Sequence, residues 1–340
     1  MMFKDNFYLL LWCFLIPYFS LTSAVANELT YKKLGQLHEA ANNGFVEDDD
    51  GFIWIGTQNG LIKWMGEELI KYTPENSSLI GANISAITQG DNGVLWVATL
   101  DGGLNKYDKL TNKFVHIEGG DLITVSSIGG WRKTQPLALV SKDELVFISE
   151  QRLIHFKAGI FRQISLTNDK QALTGAVFCQ TKVCYIGIEG GLVVLDLVTE
   201  KTTLYSYPSK SAPPLHINKM IKIDGLLYLA TKHNGLLQFS SQKKLFSTLI
   251  PYQNKSISNF TYDTIKQELW LIHSPSIGLS QFTLSSGQVE SYFSLASEIN
   301  PLSDVRLDGI LFSKRNQLLT FTLGGDLGAI EQKIFTNITK

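Results

Sequence analysis

Apolar and polar positions alternate along this chain in short runs broken by turns rich in Gly, Asp and Asn. The clearest example is residues 48–61, DDDGFIWIGTQNGL. A polar turn leads into an apolar run, and a second turn ends in Gly-Leu. Residues 91–104, DNGVLWVATLDGGL, repeat the arrangement. Each copy predicts a strand before the first turn (Ile84 to Thr88) and a second rich in β-branched and aromatic residues (Val94 to Thr99). A third follows the glycine turn (Leu104 to Tyr107), and a fourth closes the unit (Lys113 to Ile117). Long amphipathic helix patterns are missing, and Tyr31 to Ala41 is the one stretch that could form a short helix.

Fainter copies continue to the end of the chain. The anchor of the second strand recurs at Trp54, Trp96, Phe147, Tyr185, Tyr228, Trp270 and Leu319, at intervals averaging about 44 residues. That period belongs to four-stranded propeller blades, so the expected fold is all-β: a seven-bladed β-propeller of antiparallel blades over residues 27–340. Gly56, Ala98, Gly187 and Ala230 share one register, where small side chains would let neighbouring sheets approach. A ring must also close. Leu29 to Leu34 reads as an outer strand with no inner strands before it, to be paired with the last blade around Leu327 to Ile330; Lys333 to Ile338 competes for that place.

Composition narrows the function. The formal charge is -1 and only 18% of residues are charged, which gives no general attraction to nucleic acid or anionic lipid. Residues 1–26 carry Lys4, an apolar run from Phe7 to Phe19 and small residues at Ala24 and Ala26, the layout of a secretory signal peptide cleaved after Ala26. An uncleaved inner-membrane anchor is the alternative. Export suits a disulfide. If Thr181 and Lys182 form a two-residue hairpin turn, Cys179 faces Cys184 in a closely spaced pair.

DDDGFIWIGTQNGL and DNGVLWVATLDGGLNKYDKLTNKF resemble the two-component regulator propeller repeat, with its Asp, Gly, Trp, Gly-Thr and Gly-Leu positions in order. The specific match covers Asp48 to Phe114. Such propellers look like the periplasmic sensor parts of hybrid histidine kinases and diguanylate cyclases. The resemblance implies a small polar or carbohydrate-like ligand, no cofactor, and output through a membrane-bound signalling partner or a further C-terminal region. It leaves open a truncated sensor and a solitary propeller.

Individual motifs add little catalytic chemistry. Asp48 to Asp50 could suggest a Ca2+ loop, but Val46 stands where an oxygen ligand would be needed and Thr57 where the terminal glutamate would be, so a strand-joining turn is expected and no metal. The six histidines are scattered and form no H-x-x-x-H pair. Residues at the turns after the second strands would ring the channel mouth, and Gln58, Asn59, Asp101, His233 and Asn234 are the candidates for hydrogen bonding to a polar ligand. Trp131 and Arg132, in a long link after the second blade, could stack on a sugar or grip an acid. The expectation is a sensory or interaction propeller without catalysis. The alternatives are a propeller lyase or hydrolase with its site at the channel mouth, and a scaffold for periplasmic protein contacts.

Overall fold

The structure is a computed structural model that describes residues 27–37, 41–90, 93–118, 135–166, 172–208, 213–250, 256–274, 278–291 and 307–334. The segment read as an export signal lies outside them, as do Trp131 and Arg132. Seven four-stranded antiparallel sheets are present, and no helix occurs among the described residues. The blades span residues 41–72, 84–117, 137–164, 173–206, 217–250, 256–291 and 307–334, the last completed by Asn27–Gln36. The stretch after Tyr31 that could have turned helical is strand as far as Gln36.

In the first six blades, and in residues 307–334 of the seventh, the chain runs from the innermost strand outwards. Each innermost strand packs against those of its two neighbours, and Ala41–Glu47 of blade 1 meets Leu307–Phe312 of blade 7, so the strands encircle a channel. Second strands such as Ile53–Thr57 and Leu95–Thr99 are buried at every position because a blade covers each of their faces. Outer strands such as Ile160–Ile164 show one side to solvent.

The core follows from this arrangement. Seven hydrophobic clusters are found, one in each seam between adjacent blades. Six anchors behave alike: Trp54, Trp96, Tyr185, Tyr228, Trp270 and Leu319 all face the following blade. Blade 3 corrects the sequence reading by one residue. Phe147 packs backwards with Trp96 and Leu104, whereas Val146 faces blade 4 among Ile186 and Leu195. Aromatic bulk on the wrong side of a period-two strand drew the reading to Phe147.

The three aspartates that open the repeat each do something different. Asp48 is buried; its carboxylate accepts the backbone N–H groups of Asp50 (3.0 Å) and Phe52 (2.9 Å) and the Trp54 indole N–H (2.8 Å). It therefore shapes the turn and aims the anchor together. Asp49 reaches Lys314 of blade 7 at 3.1 Å and accepts from Gln89 of blade 2 at 3.1 Å, and Asp50 pairs with Lys109 of blade 2.

The ring closes through the first strand. Asn27–Gln36 pairs antiparallel with Asp326–Ile334, placing Tyr31 opposite Ile330 and Leu29 opposite Gln332. Leu327 to Ile330 and Lys333 thus belong to one strand, and the two proposed partners do not compete. Tyr31 lies across Gly328 so closely that a Cβ there would fall 2.3 Å from the ring. Cys179 and Cys184 are register partners joined by a disulfide, with Cα atoms 4.1 Å apart and Thr181 at φ 58° in the turn.

Two stability effects are expected. Asp48→Ala strands a buried indole N–H and two turn donors, and should lower unfolding free energy by about 2–4 kcal/mol. Urea unfolding followed by tryptophan fluorescence measures this, and an unchanged midpoint would contradict the role given to Asp48. Gly328→Val should lift Tyr31 off the sheet at a cost of about 1–3 kcal/mol. Hydrogen exchange should then accelerate first in Asn27–Gln36; uniform acceleration around the ring would argue against closure by this strand.

Candidate functional site at the mouth of the ring

All second-to-third strand turns emerge on one face, together with the links between blades. A hydroxyl builds several of these turns. Thr57 Oγ1 donates to the Gly60 carbonyl at 2.7 Å and accepts the Asn59 N–H at 3.2 Å. Thr231 Oγ1 donates to the Gly235 carbonyl at 2.7 Å and accepts the Asn234 N–H at 2.9 Å. Thr99 and Thr322 hold the equivalent turns of blades 2 and 7. The Thr of the repeat is thus a turn clamp, which leaves the next two residues to face outwards.

The sequence candidates occupy different parts of this face. Gln58 and Asn59 are exposed on blade 1. Asp101 is occupied: its two carboxylate oxygens accept the Ala82 (3.0 Å) and Asn83 (3.1 Å) N–H groups, tying the blade 1–2 link to blade 2. His233 and Asn234 lie side by side on blade 5, the first exposed and the second buried. Asn234 Oδ1 is buried with no hydrogen-bond partner among the described residues. The structure therefore does not gather the named residues into one site; His233 and Asn234 stand apart as a local pair.

That pair has neighbours the sequence reading passed over. Backbone bonds from Gly190 N–H to the Leu215 carbonyl (2.9 Å) and from Lys232 N–H to the His216 carbonyl (2.9 Å) draw blades 4 and 5 together. Four titratable groups consequently share one region: Glu189, His216, Lys232 and His233. Burial, then the charges of Lys232 and His233, hold the His216 imidazole below its ordinary pKa, with Glu189 opposing. Burial and Lys232 do the same to His233. At neutral pH both rings are then neutral, each offering one donor and one acceptor nitrogen.

A second set lies deeper. In five blades the innermost strand skips register just after an aliphatic residue, at Ile84, Leu173, Ile217, Ile257 and Leu307. The next residue is polar and buried in every case: Ser85, Thr174, Asn218, Ser258 and Asp308. Thr174 Oγ1 rests where Gly187 would carry a Cβ, 2.4 Å away, so blade 4 needs its glycine. Asn218 Nδ2 donates across to the Ile257 carbonyl of blade 6 at 2.8 Å, and Ser258 Oγ donates to the Ile272 carbonyl at 3.2 Å. The aliphatic–polar step at the start of these five inner strands was the available signal.

Residues 37–59 match the two component regulator propeller family. No curated protein matches the chain. Among solved structures, the extracellular domain of the putative hybrid two component system BT3049 from B. thetaiotaomicron is similar at 20% identity and TM-score 0.68, over 90% of this chain and 42% of that one. The corresponding domain of the putative one component system BT4673 from the same organism aligns at 18% identity and TM-score 0.68, over 89% and 40%. A catalytically inactive virginiamycin B lyase from Staphylococcus aureus, with quinupristin, aligns at 14% identity and TM-score 0.67, over 89% and 99%. The chain spans about two fifths of the length of these two B. thetaiotaomicron structures. At these identities the likeness to solved structures concerns the fold, and residues 37–59, in the first of seven four-stranded blades, match the two component regulator propeller repeat.

Proposed function

We propose that this propeller is the ligand-sensing part of a bacterial signal-transduction system, exported to the periplasm by its N-terminal segment and without catalysis of its own. The ligand is a small polar solute, carbohydrate-like in its hydrogen bonding, received at the channel mouth where blades 4 and 5 meet. One observation carries the reading: Asn234 presents a buried carbonyl oxygen, unpartnered among the described residues, beside His233 and the half-buried His216. A buried acceptor left open is costly unless something donates to it. Output passes to a membrane-bound signalling partner or a further region of the protein. The likeness in fold to the extracellular domains of the putative hybrid two component system BT3049 and the putative one component system BT4673 supports this assignment.

The lyase neighbour keeps an enzymatic reading in view. The ring's imidazole–carboxylate contact, His155 Nε2 to Glu144 Oε1 at 2.9 Å, argues for a packing role there. Glu144 is buried between blades 3 and 4, on the side away from the mouth, and its second oxygen is taken by Lys182. Burial alone would raise the Glu144 pKa; hydrogen bonds from Lys182 and His155 outweigh it and hold the carboxyl below its ordinary value.

Screening polar solutes and oligosaccharides by thermal shift, then calorimetry, tests the site. His233→Ala and Asn234→Ala should each weaken the ligand found by about tenfold, while Gln58→Ala across the ring should change little. Unchanged affinity in both blade 5 variants would move the site elsewhere.

Acid should loosen the same region. The folded-state pKa of His216 lies below its unfolded value, so the unfolded chain binds the proton first. The stability present above about pH 6.5 is lost as pH falls through the folded value. Melting temperatures measured across that range should fall less steeply for His216→Gln than for the unaltered protein; parallel curves would exclude His216 as a contributor.

A further inference from the structure

Lys219 is half-buried on the inner side of the ring. It follows the Asn218 bulge on the innermost strand of blade 5, Ile217–Ile223. Its register partner, Ala230, packs in the seam with blade 6, so the side chain leaves the sheet towards that blade. Nζ nevertheless ends 2.8 Å from Asn259 Oδ1. Asn259 stands on the innermost strand of blade 6, and its own register partner, Ile272, packs towards blade 7. To reach a side chain on the far face of that sheet, the lysine must pass its inner edge. The ammonium group therefore sits at the channel wall.

Its electrostatic situation differs from that of five other lysines. Lys33, Lys106, Lys109, Lys182 and Lys314 each pair with a carboxylate. Lys219 has no carboxylate partner among the described residues, and Asn259 supplies one neutral acceptor for a group with three donors. The adjacent polar side chains are already used: Asn218 donates to Ile257, and Ser258 to Ile272. Desolvation pushes the Lys219 pKa down to about 8, which leaves it mostly protonated at neutral pH. A surface lysine would relieve such a cost by extending into water; this one is directed inwards.

We propose that Lys219, with Asn259, receives a terminal anionic group of the ligand, a carboxylate or phosphate that enters the channel from the mouth. This rests on the mouth being the binding face and adds the ligand's charge and orientation. Lys219 lies three positions along the strand from His216, a depth of about 10 Å at the usual rise. A small solute held at the mouth by neutral imidazoles and Asn234 can span that depth only end-on. Selection for acids over their neutral analogues follows, because an anion at Lys219 offsets a desolvation cost that a neutral group leaves standing.

Competitive acylation of the purified protein with acetic anhydride, read by peptide mass spectrometry, tests this without any variant. Gluconate, succinate or inorganic phosphate should slow modification of Lys219 about threefold or more while the other lysines keep their rates; glucose should not. The carboxylate and phosphate arms tell which anion the site takes. A Lys219 rate that none of these anions alters overturns the proposal. Calorimetry of Lys219→Met should show loss of about tenfold or more in affinity for the protecting anion, with Lys219→Arg retaining binding. A neutral solute that depends on His233 and Asn234 but not on Lys219 would preserve the mouth site and overturn the anion assignment. Anion protection that persists in a His233→Ala, Asn234→Ala double variant would preserve the anion site and displace the mouth reading.

Discussion

Each blade of this molecule is a sheet that is apolar on both faces, and that one constraint organises the rest. Such a sheet cannot be covered by folding on itself; it needs a neighbour on either side, and the requirement ends only when the last sheet meets the first. The seven seam clusters meet that requirement. Anchors as large as Trp54 and Trp96 fill the seams, and small residues at Gly187 and Ala230 let the sheets approach near the channel. Cohesion is therefore distributed around the ring, and the centre is left free for a channel.

The sequence disclosed much of this because seam packing repeats. Trp54 and Trp96 could be aligned by eye, and the Gly-Leu after each turn set the third strand. Thr57 was legible as part of the repeat, but its role as a clamp on the Gly60 carbonyl was not, since that bond depends on the turn's three-dimensional form. Phe147 misled by its size: facing direction follows register, and Val146 held the anchor's place with less bulk. Asp48 looked like a metal ligand or a turn former; its bond to the Trp54 indole joins the turn to the core and accounts for the six-residue interval between them.

The mouth was less legible for a physical reason. Its residues come from the ends of strands in different blades, and no spacing along the chain records that His216 lies close to both His233 and Glu189. Turn position alone nominated Asp101, whose carboxylate proves to be consumed by backbone donors. The bulges explain why the inner strands carry buried polar residues at all: a skipped register turns one residue out of the apolar seam, and Asn218 and Ser258 then satisfy backbone carbonyls there. Lys219 follows from the same skip, because the register change sets the direction in which its side chain leaves the strand.

The pairing of Asn27–Gln36 with Asp326–Ile334 has a further consequence for how the molecule comes into being. The ribosome makes the outermost strand of blade 7 first and its partner about three hundred residues later. Until then that strand has nothing to pair with, and blade 1 lacks one of its walls. Blades 1 to 6 can stack in the order of their synthesis, yet the circle stays open until the last strand of blade 7 has been made. The interval is one in which a holding chaperone could act on a chain already rich in local structure but not yet locked.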